Sequence, residues 1–196
     1  MNLENVSERQ PLFTPFVTKN LSAEDREMFL QKILFLEQKI FPADWQYEDA
    51  EVYYRKMLES SSAINIFLCG DNNEVVGYLL ARPLSEVYKE LAQDDPELKD
   101  DEYCYYIETV GVLSEYSGIG GFTRLLNSLQ EEVAEKECTS LSAHTRTVNG
   151  FAESLERKCK EHLLVKRAIK TWSHGGGEPY VYLQWAIKKK GMLDVF

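Results

Sequence analysis

Apolar residues recur along this chain with two spacings, one typical of helices and the other of strands. Behind a capping-box pattern that begins at Ser22, apolar residues follow one another at helical spacing as far as Ile40. Pro42 then ends the helix, because proline disfavours helical geometry in the residue before it. A second helix is predicted over 48–58, after the loop FPADWQY. Two helices are therefore predicted before the main run of strands.

Strand-like stretches rich in β-branched and aromatic residues fill much of the remaining chain. The predicted strands cover 12–21, 63–70, 75–83, 103–113, 140–145, 163–172 and 180–188. An amphipathic helix is predicted directly after 115–121, and another over 148–161. The acidic segment 84–102 is expected to form a short helix and a loop.

The order of these elements, with strands and helices alternating in the middle and hairpins towards the ends, predicts an α/β fold of the α+β type. We expect a mixed sheet of about seven strands flanked by about four helices. The length of 196 residues suits one domain, 1–196, with a substantial core. The polar residues 1–11 are expected to be flexible.

The chain is acidic, with a formal net charge of −10 and a pI of about 4.9. This charge argues against nucleic acid as a partner, since binding it relies on Lys and Arg. No apolar run approaches the ~20 residues of a membrane span, and the N-terminus MNLENVSERQ lacks the apolar region of a secretory signal. The cysteines show neither a CxxC pair nor zinc-ligand spacing. We therefore expect a cytoplasmic protein with reduced thiols, no metal and no membrane contact.

The stretch EYSGIGGFTRLL, 115–126, joins a long aromatic strand to an amphipathic helix. Glycines at such a junction let the backbone approach a ligand closely. The N–H groups of a tight turn and of a helix N-terminus also direct donors and partial positive charge at one spot. These features favour a site for a pyrophosphate. The alternative is that the glycines only allow the strand to turn into the helix.

The order of elements and this turn resemble the GNAT (Gcn5-related N-acetyltransferase) superfamily, over about 12–188. The family's acetyl-CoA loop reads Gln/Arg-x-x-Gly-x-Gly/Ala, often within a stretch such as EYRGKGIGRALL. Laid on that stretch without gaps, the chain matches at Glu115, Tyr116, Gly118, Gly120, Leu125 and Leu126. Ser117 takes the Gln/Arg position, and Phe122 takes the last Gly/Ala position.

The resemblance implies acetyl-CoA as co-substrate. On this sequence the implied cofactor-binding residues are Val110, Gly111, Val112, Ser117, Gly118, Ile119, Gly120, Gly121, Phe122 and Asn149. Ser117 can donate a hydrogen bond but carries no charge. Phe122 either points into the core as the first apolar residue of its helix or crowds the cofactor, and its spacing to the following leucines favours the core.

A carboxylate interrupts the predicted central strand. Glu108 lies among apolar residues, where a charge is costly unless it is paired or used. Many members of the family carry a glutamate here that acts as a base, and the alternative is a structural glutamate. Strand alternation predicts that Glu108 shares a face with Tyr106 and Val110. Burial beside Tyr103, Tyr105 and Tyr106 is expected to raise its pKa.

Other residues around the expected cleft are candidates for moving protons. His144 ends the next strand, where it could assist Glu108 or serve as a structural histidine. The following helix, NGFAESLE, is similar to the family's N-x-x-A-x-x-L-Y pattern, in which the Asn holds CoA or a water and the Tyr protonates the leaving thiolate. Here Asn149 matches, although it could simply cap the helix, and Glu156 replaces the tyrosine. The acid could instead be water or a tyrosine: Tyr106, Tyr180 or Tyr182.

Two loops are implied by the resemblance to flank the acceptor, FPADWQYED and SHGGGEP. The implied substrate-binding residues are Trp45, Tyr47 and Tyr180. Acidic and aromatic side chains in the first loop, with the acidic loop DDPELKDDE nearby, favour a cationic acceptor, although a charge run is usually just solvated.

The leading hypothesis is a cytoplasmic, acetyl-CoA-dependent N-acetyltransferase, monomeric or homodimeric, that acts on a primary amine of a small cationic molecule or a basic peptide. The alternative is a binding or regulatory protein that has the same fold and no catalysis. The departures at Ser117, Phe122 and Glu156 favour this alternative.

Overall fold

A computed structural model describes residues 14–18, 21–70, 74–170, 172 and 178–187. Within these residues the strands are β1 (Thr14–Thr18), β2 (Ile64–Cys69), β3 (Val75–Pro83), β4 (Cys104–Val112), β5 (Ser140–Arg146), β6 (Leu163–Ile169) and β7 (Tyr180–Ala186). The α-helices are α1 (Ala23–Ile40), α2 (Ala50–Glu59), α3 (Leu84–Leu91), α4 (Gly121–Glu135) and α5 (Phe151–Cys159).

The strands form one sheet in the order β1-β2-β3-β4-β5-β7-β6. Neighbouring strands pair antiparallel, except β4 and β5, which run parallel. The predicted mixed α/β fold with seven strands is confirmed. Five α-helices are found in the described residues rather than about four, and one of them, α3, is the short helix predicted for the acidic segment.

The helices cover both faces of the sheet. The face that packs against α1 and α2 contributes Phe67, Tyr78 and Leu80 to a buried cluster. The opposite face packs against α4 and α5 and contributes alternate residues of the same strands. A third cluster lies beneath α3, around Tyr106 and Tyr182. We call the side that carries α1, α2 and α3 the front face.

The two parallel strands separate soon after they meet. β4 pairs with β5 only from Cys104 opposite Ser140 to Tyr106 opposite Ser142. Beyond that point β4 continues along β3 to Val112, while β5 continues along β7 to Arg146. The sheet therefore opens into a cleft whose apex lies next to Tyr106.

A β-bulge interrupts β4 just beyond this apex. Leu80 of β3 pairs with Thr109, and the next residue, Ala81, pairs with Ile107, so Glu108 has no partner in the ladder. The side chain of Glu108 reaches the front face, whereas Val110 packs against the cluster on the opposite face. The prediction that Glu108 and Val110 share a face is therefore wrong, because the extra residue shifts the alternation.

Several predicted boundaries differ from the structure. The predicted strand over 12–21 is described only as β1, and the helix predicted over 148–161 is the shorter α5. The segments 1–11 and 173–177, which hold the predicted flexible terminus and most of the loop SHGGGEP, lie outside the described residues. All four cysteines are free thiols.

Candidate active site

The glycine turn lies at the mouth of the cleft, between β4 and α4. Gly118 and Gly120 have φ values of +78° and +97°, which side chains with a Cβ adopt only under strain. A Cβ placed on either glycine would meet nothing within 4 Å, so the turn faces open space. The N-cap residue of α4 is Gly120, which has no side chain to cap the helix, and the first helical N–H groups have no acceptor within the helix. The turn therefore offers an uncapped helix N-terminus suited to an anion.

Gly121 has a different role from the two glycines before it. A Cβ at Gly121 would lie 2.9 Å from Leu68 and 3.2 Å from Val112. This glycine lets the first turn of α4 pack closely on the sheet. Its backbone remains part of the uncapped helix start, so its predicted cofactor contact stays a prediction.

Phe122 lies beside the turn rather than across it. Its ring packs edge-to-face on Phe151 of α5, with 5.0 Å between ring centroids, and it joins the edge of the core. Of the two positions considered from the sequence, the side chain takes the one against the core. The mouth of the cleft is thus not closed by the phenyl ring.

A lysine lies beside the first turn of α4. Lys158 of α5 donates from Nζ to the Thr123 hydroxyl at 2.6 Å, and its ammonium lies 5.9 Å from the Phe122 ring centroid. Sequence reasoning missed this contact, because Lys158 and Thr123 are 35 positions apart. Asn149 is exposed, and its side-chain oxygen accepts the N–H of Phe151 at 3.0 Å, so in this structure it caps α5.

Glu108 is paired through both carboxylate oxygens. Oε1 accepts from the Arg82 guanidinium, and Oε2 accepts from the Tyr53 hydroxyl at 3.0 Å. Burial raises the pKa of Glu108, while the ion pair with Arg82 and the hydrogen bond from Tyr53 act in the opposite direction. Arg82 lies opposite Tyr106 in the ladder between β3 and β4, which brings it to the front face beside the bulge.

Two of the three tyrosines predicted to bury Glu108, Tyr103 and Tyr105, do not lie beside it. Tyr103 is 54% exposed, and the hydroxyl of Tyr105 donates to the Ser62 carbonyl oxygen at 3.0 Å. Tyr105 packs in the cluster behind the sheet. The side chain that replaces them beside Glu108 is Tyr53 of α2.

At the apex, Tyr106 and His144 come together as predicted candidates from neighbouring strands. The Tyr106 hydroxyl lies 3.3 Å from Nδ1 of His144. The other ring nitrogen, Nε2, lies 3.1 Å from the Asp95 carboxylate, which also accepts from Arg167. The His144 side chain is 1% exposed, and that of Asp95 is 2% exposed.

These neighbours determine which groups are protonated. Burial lowers the pKa of His144 despite the opposing effect of Asp95, so the imidazole is neutral near pH 7. Burial and the nearby Glu108 carboxylate raise the pKa of Tyr106 well above its usual value. Burial acts to raise the pKa of Asp95, but the hydrogen bonds from His144 and Arg167 outweigh it and lower the pKa. A protonated phenol thus lies beside a neutral imidazole and an ionised carboxylate.

Trp45 and Tyr180 share an arginine that sequence reasoning missed. The guanidinium carbon of Arg146 lies 4.4 Å from the Trp45 ring centroid and 5.3 Å from that of Tyr180. Arg146 also pairs with Glu178, two residues before the start of β7. The loop after α1 is thereby joined to the ends of β5 and β7. Tyr47, the third predicted acceptor residue, is stacked on Tyr53 at 4.3 Å between centroids.

Glu156 is occupied elsewhere. Both of its carboxylate oxygens accept from Lys166 of β6, at 2.7 and 2.8 Å. This ion pair is partly exposed. The carboxylate at the family's tyrosine position is therefore paired with β6.

A mixed sheet that opens between two parallel strands, with an uncapped glycine turn at the mouth of the opening, defines the class of fold on which acetyltransferases are built. The sequence profile of the Acetyltransferase (GNAT) family matches residues 30–159, more than half of the chain. The chain therefore belongs to the GNAT acetyltransferase family. A search of curated proteins finds no match.

Solved structures with low sequence identity share the fold. The ribosomal-protein-S18-alanine N-acetyltransferase from Escherichia coli is 15% identical with a TM-score of 0.62, over 93% of this chain and 100% of that chain. NAA60 from Arabidopsis thaliana, in complex with acetyl-CoA, is 16% identical with a TM-score of 0.61, over 90% and 98%. Aminoglycoside 6'-acetyltransferase type Ii is 17% identical with a TM-score of 0.61, over 89% and 99%. At these identities the similarity shows the fold and not the acceptor.

No group of three or more His, Cys, Asp or Glu side chains in the described part of the chain is arranged to hold a metal ion. Of the helices that the structure describes, none has the length and apolar character needed to cross a membrane.

Proposed function

We propose that this GNAT-family protein is a cytoplasmic, acetyl-CoA-dependent N-acetyltransferase that acetylates a primary amine. The observation that carries the proposal is the open glycine turn at the mouth of the cleft between β4 and β5. Backbone donors there suit a pyrophosphate, and the separated strands leave room for an extended arm to reach the apex. Family membership supports the same reaction class.

The residues present fit acetyl-CoA. The N–H groups of 118–121 and the uncapped start of α4 would hold its phosphates, with Lys158 close by to add positive charge. The free edge of β4 beyond the apex, at Val110–Val112, would pair with its pantetheine arm. When bound, acetyl-CoA supplies an acetyl thioester.

Acetyl transfer forms a C–N bond and breaks a C–S bond. The amine loses one proton, and the departing thiolate takes up one proton, so the reaction is balanced. Tyr106 and His144 are the groups proposed to accept the amine proton, because the phenol lies at the apex and contacts a neutral imidazole. Glu108 is the second candidate for the base. Its two oxygens are already engaged by Arg82 and Tyr53, so we assign it to orienting the amine.

The acceptor is proposed to be a primary amine on a small molecule or a peptide. The sequence favoured a cationic acceptor because acidic and aromatic residues surround the cleft. In the structure Glu108, Asp95 and Glu178 each pair with an arginine, and Arg146 covers the Trp45 ring. These pairs neutralise the carboxylates, so the proposal extends to uncharged and anionic amines.

Titration of acetyl-CoA into Ile119→Glu and Ile119→Gln tests the assignment of the turn. Ile119 is 43% exposed, and neither substitution requires a positive φ. We expect Ile119→Glu to weaken acetyl-CoA binding about tenfold, since a carboxylate there repels the phosphates. Ile119→Gln introduces an uncharged side chain of the same shape as Glu and should change acetyl-CoA binding little. An equal effect of the two variants would contradict the assignment.

A panel of primary amines, followed by release of free CoA thiol, then tests the reaction. Turnover of at least one amine is expected. Failure of wild-type protein to bind any acyl-CoA overturns the proposal. Binding without turnover of any amine would instead favour the alternative of a binding or regulatory protein.

A further inference from the structure

The acidic loop between α3 and β4 sends one of its carboxylates into the interior. Asp95 is buried, whereas its neighbours Glu97 and Asp100 face solvent. A buried carboxylate is retained only where partners compensate its lost hydration. Its partners are His144 and Arg167, and the first of these contacts the proposed proton acceptor at the apex.

The order of contacts fixes the direction of each hydrogen bond. An ionised carboxylate only accepts, so Nε2 of a neutral His144 must carry the hydrogen that faces Asp95. The other nitrogen, Nδ1, then has a free lone pair directed at the Tyr106 hydroxyl. The opposite tautomer would leave Asp95 facing an unprotonated nitrogen and would turn Nδ1 into a donor.

We propose that Asp95 is a positioning residue, which holds His144 in the tautomer that can accept a proton from Tyr106. The inference rests on the proposed N-acetyltransferase function. As the amine nitrogen attacks, its proton passes to the Tyr106 oxygen while the phenol proton passes to Nδ1 of His144. Asp95 stabilises the resulting imidazolium and remains ionised. The proton then returns through Tyr106 to the departing thiolate.

The surroundings of His144 keep its ring in place for this role. The ring centroid lies 4.4 Å from that of Trp172 and 4.7 Å from that of Tyr182. Arg167 donates to both oxygens of the Asp95 carboxylate, from Nε to Oδ1 at 3.2 Å and from Nη2 to Oδ2, the oxygen that also faces His144. Arg167 and the two rings therefore limit the freedom of the carboxylate and the imidazole to rearrange.

The tautomer of His144 in wild-type protein is measured first, by nitrogen-15 NMR. The chain has only three histidines, so assignment is practicable by substitution. The Nε2–H tautomer is expected at neutral pH, and the Nδ1–H tautomer would overturn the proposal. This measurement needs no substrate, so it separates the positioning role from the N-acetyltransferase function.

Asp95→Asn is then compared with Asp101→Asn. Asp101 belongs to the same loop and accepts from Tyr103 and Gln184 at 3.0 Å, with no hydrogen bond or ion pair to His144. We expect Asp95→Asn to shift the tautomer population and to lower kcat about 100-fold, with unchanged acetyl-CoA affinity. The control keeps both properties.

An equal fall in kcat for the two variants, or retained kcat in a folded Asp95→Asn, overturns the proposal. Absence of amine acetylation by wild-type protein would overturn the proposed function and with it the relay. The NMR result would still show whether Asp95 sets the tautomer.

Discussion

At the mouth of the cleft, the groups that we assign to acetyl-CoA are backbone N–H donors, and Gly118 and Gly120 face open space. At its apex, Tyr106, His144 and Glu108 are buried side chains with hydrogen-bond partners. At the mouth, the proposed binding depends on the conformation of the backbone and little on the identity of the side chains. The apex needs particular atoms, and a lost partner leaves a buried polar group unsatisfied. Substitutions at the mouth should therefore change binding, and those at the apex should change turnover.

The largest effect is expected for Tyr106→Phe. The variant keeps the ring and its packing but removes the hydroxyl that lies 3.3 Å from His144. We expect kcat to fall at least about 100-fold with unchanged acetyl-CoA affinity, measured by thiol release and calorimetry. Tyr105→Phe is the control, because its hydroxyl bonds to Ser62 instead. A weaker affinity with normal kcat would reverse the assignment of the two regions.

At the mouth, Gly120→Ala tests the backbone alone. The added Cβ would meet nothing within 4 Å, so the substitution costs conformational free energy only because φ at this position is +97°. A strain of about 1–2 kcal/mol should distort the turn and weaken acetyl-CoA binding about tenfold. The neighbouring Ile119→Ala, at a position without positive φ, should bind normally. Normal binding by both variants would mean that the path of the turn is not what holds the ligand.

A smaller effect, on the acceptor KM, is expected from Arg146→Gln, because Arg146 lies against Trp45 and Tyr180, the residues implied to bind the acceptor. The substitution removes the cation from Trp45 and Tyr180 and leaves Glu178 without this partner. Loss of about 1 kcal/mol should raise the acceptor KM several-fold and leave acetyl-CoA affinity unchanged. Arg55→Gln, at an exposed ion pair, serves as the control. An unchanged acceptor KM would separate this stack from the acceptor site.

The smallest effect concerns pH. Burial lowers the pKa of His144 below the ordinary 6.5, so on acidification the unfolded chain takes up a proton before the native state does. Stability present above pH 6.5 is therefore lost as the pH falls towards the lowered value. Asp94 and Asp95 act to raise the pKa of His144 and Arg167 acts to lower it, and the net shift of this pKa remains downward.

Urea unfolding at pH 7.5, 6.5 and 5.5 measures this loss. Wild-type protein should lose more free energy of unfolding over this range than His144→Gln. Identical slopes would mean that the imidazole takes up its proton equally in the native state.

The two regions also differ in how well the sequence predicted them. The glycine turn was predicted because its glycines, the preceding strand and the following helix are contiguous in the sequence. All the residues that determine the path of its backbone therefore lie in one short stretch. Asp95 was not found, because its partner is 49 positions away and its neighbours are ordinary solvated acids. Arg82 was missed for the same reason, since only the register of β3 on β4 brings it to Glu108. The face of Val110 was predicted wrongly because no sequence pattern signalled the bulge.

That bulge makes Glu108 an insertion into the strand rather than a substitution within it. Thr109 lies beside Tyr78, so both it and Glu108 are on the front face, in succession. Ile107 and Val110 on either side keep to the opposite face and to the common cluster there. Removal of Glu108 alone would restore a regular alternation without turning any flanking residue over. A lineage could therefore acquire or discard this carboxylate by a three-nucleotide change while the rest of the sheet keeps its packing.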